Sequence, residues 1–391
     1  MIKMRIEFAH SLRGIAASAV VVSHLFYLIW RKPEAIGNLI SYPAVPRIID
    51  GAPFAPVTDF GLPYFWGHFG VALFFLISGF VIPFSVSSLS RPGFIVARLF
   101  RIWPTYVAGL AIATSCIALN ARLSNIAFPY SPIEVLTNAL IFPRWPTLTQ
   151  SIDGIIWTLE IEIFFYVVCA LSANLIRDID CRLFLFALPV VPLAYFVAAR
   201  MGALIAIGMP VYAFAHWLSS VPVYVCFMLC GTACYYHYRE RVSGLRLLAL
   251  QTPLLLVFVV SSRVGVLAIQ GWSAPICYLI AYMTFVLSYF ARVRFVALPG
   301  WWRRPIYWIA NISYPLYAVH GVLGYTILVH VIEAGLPSWA AVTVAVGAVT
   351  FVAILLHRMI ELPSQLYGKT LATTKWPIQP LKSQGEPAAI S

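Results

Sequence analysis

The sequence predicts an all-α, polytopic membrane bundle of about ten transmembrane helices with both termini cytoplasmic, and three observations predict it. The 391 residues are 61% hydrophobic and only 10% charged, against about a quarter charged in soluble domains, and mean hydropathy is +0.86. The apolar residues gather into runs of roughly the 17 to 25 that cross a bilayer as a helix. Lys and Arg then alternate between dense and sparse loops, as they do on the two sides of a membrane.

Taken in order, the runs lie near 11–30, 69–86, 94–118, 155–175, 183–199, 220–238, 246–260, 274–290, 311–332 and 338–358. Lys3 and Arg5 precede the first in the manner of a signal peptide. No small-residue cleavage site comes before Arg31-Lys32-Pro33, so it reads as a retained helix. Within it Arg13 and His24 stand eleven residues apart, about three turns and roughly 16 Å along one helix face. Ionisable groups inside a bilayer are costly unless paired or wetted, so this face points to an internal cavity. The second run holds Ser78 before Gly79; its apolar neighbours suit close helix packing better than a nucleophile.

The third run opens with Arg98 and Arg101, neighbours on one face, at a depth like that of Arg13. Such a set either holds phosphates, which the guanidinium fork matches bidentately, or snorkels to lipid headgroups. The fourth begins Trp157-Thr158-Leu159-Glu160-Ile161-Glu162. Its two carboxylates cannot share a face, and Glu162, about 10 Å in from the helix start, reaches a depth where it could orient His24. On the sixth, Cys226, Cys230 and Cys234 recur every fourth residue and read as small packing residues, with no metal site expected. The seventh run is short. The ninth carries Ser313, Tyr317 and His320 on one polar stripe, with Pro315 as a kink; the stripe serves either substrate or interhelical hydrogen bonds. Glu361 and Pro363, after the tenth, read as a helix end, and His68, His216, His237, His330 and His357 as structural. The stretches 133–142 and 202–215 are re-entrant or interfacial.

With the N-terminus inside, ten spans leave only Arg31, Lys32, Arg47, Arg122, Arg144, Arg200 and Arg263 on the outer side. The formal net charge of +12 is thereby accounted for by topology, with no nucleic-acid partner. Two outer segments, 31–68 and 119–154, are long and rich in Pro and aromatics, and either cap the bundle or receive an acceptor. Residues 1–363 form the membrane domain; residues 364–391 are polar and expected to be a mobile cytoplasmic tail.

Five of these elements, in order, resemble the acyltransferase 3 family of bacterial membrane enzymes. Arg13 through His24 fits its Arg-x10-His signature; Gly70-Val71 to Ser78-Gly79 its Gly-Val-x-x-Phe-Phe-x-x-Ser-Gly stretch; Arg98, Arg101 and Pro104 its Arg-x-x-Arg-x-x-Pro element. Trp157, Thr158, Leu159, Glu162, Phe165 and Tyr166 fit the fourth motif, and Ser313-Tyr314, Tyr317 and His320 the fifth. His10 stands where many members have Asp. The resemblance implies an inner-membrane O-acyltransferase with acyl-CoA, chiefly acetyl-CoA, as co-substrate and a carbohydrate hydroxyl as acceptor. It implies no tightly bound cofactor. On that reading Arg13, Arg98 and Arg101 bind acyl-CoA, His24 and Glu162 are catalytic, with His24 either a general base or an acyl carrier, and Trp157, Ser313, Tyr317 and His320 contact substrate. A glycan or proton-coupled transporter is the competing class, and its marker, an inverted repeat with paired broken helices, is not seen in the sequence. A membrane scaffold is the third class, and it has no need of buried arginine and histidine.

Overall fold

The computed structural model describes residues 7–58, 60–141, 145–146, 148–264, 271–296 and 300–377. Lys3, Arg5, Arg144 and Lys382 of the charge reading lie outside them. The described residues are helical and contain no strand, since a chain this apolar can satisfy its backbone groups inside a bilayer only within helices or a closed barrel. A helix occupies each of the ten apolar runs: α1 (Glu7–Arg31), α2 (Phe65–Ser88), α3 (Arg91–Leu123), α4 (Ile156–Leu171), α5 (Cys181–Ala199), α6 (Met209–Tyr238), α7 (Gly244–Ser261), α8 (Ser273–Phe290), α9 (Ser313–Val319 with Val322–Glu333) and α10 (Ser338–Lys375). Eight of these are long and apolar enough to cross a membrane, and α9, bent by 59° at its break, makes a ninth. The remaining one, α4, has 16 residues, about 24 Å at helical rise, which is short of the hydrocarbon core.

At the centre lies α2, packed against α1, α6, α8 and α4. Two glycines let it meet α6 closely. A methyl group at Gly79 would overlap the Met228 carbonyl, and one at Gly231 would overlap that of Leu76. Thr232 Oγ1 then donates to the Gly79 carbonyl at 2.9 Å. This is the close approach that small residues permit where lipid offers no hydrophobic drive for helix association. The Cys226-Cys230-Cys234 row is buried in the same layer, and Gln251 Nε2 donates to the Cys230 carbonyl and the Cys234 sulfur. Among the described residues no cluster of three metal-ligating side chains exists.

The first long segment folds over the bundle as three short helices, Pro33–Leu39, Val45–Ile48 and Ala55–Thr58, and buries Ile36, Ile40, Val45 and Ile49. Tyr42 ties it down by donating to Glu333 at 2.8 Å, and Asn120 Nδ2 by donating to the Ile40 carbonyl at 2.9 Å. In the second, Pro132–Ala139 is a short helix closed by a capping box between Ser131 and Glu134; those hydrogen bonds hold the Glu134 carboxyl below its usual range. Asp153 accepts from the Ile155 and Ile156 backbone N–H groups and so starts α4.

One departure from the sequence reading concerns α10. Ser364 to Lys375, expected within an irregular tail, continues α10 and packs on α3, where Ser90 Oγ donates to the Trp376 carbonyl at 2.7 Å. Its few apolar residues sufficed because α3 supplies the partner surface. The 202–215 stretch divides between the helix Met201–Ile207 and the first turns of α6.

Candidate active site

A cavity of about 480 Å³ opens among α1, α2, α3, α4, α9 and α10, and its walls include Arg13, Ser78, Arg101, Glu162, Ser313 and Tyr317. The volume lies within the range of small-molecule sites. Arg13 and Arg101, from α1 and α3, both line it and lie close enough to interact. Neither guanidinium has a hydrogen-bonding or ion-pair partner among the described residues. Two such groups left unspent inside a membrane bundle require either water or an anionic ligand.

Arg98 is placed differently from its sequence neighbour. It is buried, does not line the cavity, hydrogen bonds to Ser85 and stacks on the rings of Phe94 and Tyr166 with centroid distances of 5.6 and 5.7 Å. The expected trio of cavity arginines is therefore a pair, with Arg98 beneath it as a brace. Two residues three apart share a helix face only approximately, and Arg98 points towards α2 and α4, where Tyr166 occupies it.

Glu162 lines the cavity, and Glu160 is buried elsewhere, as two residues on opposite sides of α4 must be. Glu162 Oε1 accepts from the Tyr166 hydroxyl at 2.6 Å and from Ser78 Oγ at 3.4 Å. It makes no contact with His24, so its expected orienting role is not supported. That position belongs to Tyr325, whose hydroxyl lies 2.7 Å from His24 Nδ1 and makes no other hydrogen bond. Tyr325 belongs to none of the motifs and sits in an apolar helix, so nothing in the sequence marks it.

His24 sits in a π-helical turn, Ser23–Leu28, within α1, a local widening common at functional sites. Its ring meets that of His320 edge-on with centroids 4.5 Å apart. His320 is fully buried at the break in α9. Its Nδ1 donates to the Tyr317 carbonyl at 2.8 Å, which fixes the proton on that nitrogen, while Nε2 has no partner. The Tyr317 hydroxyl bonds to Thr158 Oγ1 at 2.8 Å, and its ring lies 5.5 Å from His320. The order from the cavity is therefore Tyr317, His320, His24. Ser313 is buried on the wall, whereas Trp157 lies off it, packed on Phe75 and Tyr224.

Two residues read as structural from the sequence are on the cavity wall: His357 and Glu361. They lie on α10, which the apolar pattern marked only as a membrane span.

Helices α1 to α9, most of α10, the cavity arginines and His24 fall within one family match. A family model described as an acyltransferase domain covers residues 6–358. The chain belongs to the acyltransferase 3 family. This acyltransferase is also similar to "Nodulation protein 10" of Rhizobium leguminosarum bv. viciae, at 30% identity over 112 residues, which cover 25% of this chain and 30% of that relative. The chain thus matches less than a third of the relative's length. No solved structure matches it.

Proposed function

We propose that this acyltransferase moves an acyl group, chiefly acetyl, from cytoplasmic acyl-CoA to a hydroxyl of a carbohydrate at the outer face of a bacterial inner membrane. The observation that carries the reading is a cavity whose wall holds Arg13 and Arg101, and whose wall residue Tyr317 packs on a His320–His24 pair behind it. Arg13 and Arg101 receive the nucleotide phosphates through charge-assisted hydrogen bonds. The pantetheine arm extends along the apolar wall formed by Val71, Phe74 and Phe75 towards Tyr317.

His24 acts as general base. The acceptor oxygen attacks the thioester carbonyl carbon, the C–O bond forms and the C–S bond breaks. The hydroxyl proton passes to His24 and from it to the departing thiolate, which leaves as free CoA thiol. Tyr325 on Nδ1 leaves Nε2 as the nitrogen free to take the proton.

Mass spectrometry of surface glycan from cells with and without the gene tests the reading. Loss of an acetyl increment on an otherwise intact glycan is expected; loss of the whole glycan would point to transport instead.

A further inference from the structure

The cavity wall that holds Arg13 and Arg101 contains a third device, on α10. His357 Nδ1 is 2.5 Å from Glu361 Oε2, and Gln365 Nε2 donates to Glu361 Oε1 at 2.9 Å. Both carboxylate oxygens are therefore taken by neighbours on the same helix. Glu361 is buried at 5% exposure, while His357, with 19% of its side chain exposed, remains open. An ionised carboxylate can only accept, so Nδ1 carries a proton and the outward nitrogen of the ring is Nε2. No group among the described residues pairs with it.

The backbone is shaped for this pair. His357–Glu361 is a π-helical turn, and among the described residues the other such turn is the one that carries His24. At an ordinary i, i+4 spacing two side chains are neighbours; widening the turn brings these two into direct hydrogen bonding and swings both onto the cavity wall. The carboxylate is close enough to Arg101 and Arg13 to interact with each. Arg13, Arg101 and His357 thus converge from α1, α3 and α10 on one cavity wall, and among the described residues neither arginine makes a hydrogen bond or an ion pair, while His357 Nε2 has no partner.

We propose that His357, held by Glu361, is a third phosphate-contacting residue on this wall of the cavity, and that with Arg13 and Arg101 it recognises the phosphate-bearing nucleotide end of the acyl donor. The proposal rests on the donor reading above. With Nδ1 fixed on a carboxylate, a protonated imidazole presents Nε2–H to a phosphate oxygen, a charge-assisted contact. Glu361, on the same wall, balances the added charge with both its oxygens engaged by His357 and Gln365.

The test uses the full-length protein in phosphatidylcholine nanodiscs, with acetyl-CoA and the phosphate-free acetyl-pantetheine as alternative donors. His357→Gln is expected to cut the preference for acetyl-CoA, as the ratio of the two kcat/KM values, about tenfold, mainly through KM for acetyl-CoA. His357→Lys, which restores a cation, should recover part of it. An equal loss with both donors, or an unchanged ratio, would overturn the assignment. So would an effect that appears only in discs containing an anionic phospholipid, which would give the site to a lipid headgroup. Wild-type protein that turns over neither donor would remove the donor reading itself, whereas active wild type with a ratio indifferent to His357 removes this inference alone.

Discussion

His24 and Tyr325 show how much rests on one hydroxyl. Tyr325 is completely buried, and its oxygen touches one polar atom, the Nδ1 of His24. His24→Ala should lower acyl transfer by at least the 10²- to 10⁴-fold typical of a lost general base, with protein level and membrane insertion unchanged. Activity near wild type would remove His24 from the chemistry. Tyr325→Phe keeps the ring and deletes only the oxygen, so kcat should fall about tenfold, the value of one net hydrogen bond near 1.4 kcal/mol, while KM for the donor stays put. A change in KM alone would mean that Tyr325 shapes the cavity and does not hold His24. Arg98 and Arg101 make a matched pair of the same kind. Substituting Arg101 by Ala should raise KM for the donor, because its guanidinium lines the cavity. At Arg98 the same change should lower thermal stability in detergent, because its partners are Ser85, Phe94 and Tyr166.

Among the elements, the crossing of α2 and α6 is the least tolerant of change. Its two glycines each face a carbonyl of the opposite helix, so the backbones touch and no rotamer change can make room. Gly79→Ala should destabilise the bundle by about 1–3 kcal/mol, the usual cost of overpacking, seen as a lower unfolding temperature in detergent; unchanged stability would mean that the helices slide apart freely. Gly202, which has open space around it, is the control. The π-helical turns in α1 and α10 belong to this scale as well. Each re-aims a histidine that an unbroken α-helix would send elsewhere, and neither has a signature in hydropathy, because widening one turn by a residue leaves the apolar run intact.

For the molecule as a whole, the basic-residue pattern sets an orientation that can be measured. Cys181 is exposed and lies between Arg177 and Arg182 at the start of α5, on the side that the basic-residue pattern predicts to be cytoplasmic. A membrane-impermeant thiol reagent should label it only after the cells are permeabilised. Labelling of Cys181 in intact cells would invert the topology and with it the side from which the donor enters.

What the sequence determined by itself is the class, the number of helical runs and the family, because these follow from composition, run length and motif order, which are local properties of the chain. Arg13, Arg101, Glu162, Ser313 and Tyr317 were legible as cavity residues for the same reason: polar groups in lipid-length helices have few places to go. Tertiary structure decided which polar groups meet. It turned Arg98 away from the cavity and onto Tyr166, gave Glu162 to Tyr166 and Ser78, and placed Tyr325 beside His24, contacts between residues as much as 301 positions apart that helix rotation sets and sequence spacing does not. It also brought His357 and Glu361 to Arg13 and Arg101, since only the packing of α10 against α3 and α1 fixes which face of that helix looks inward.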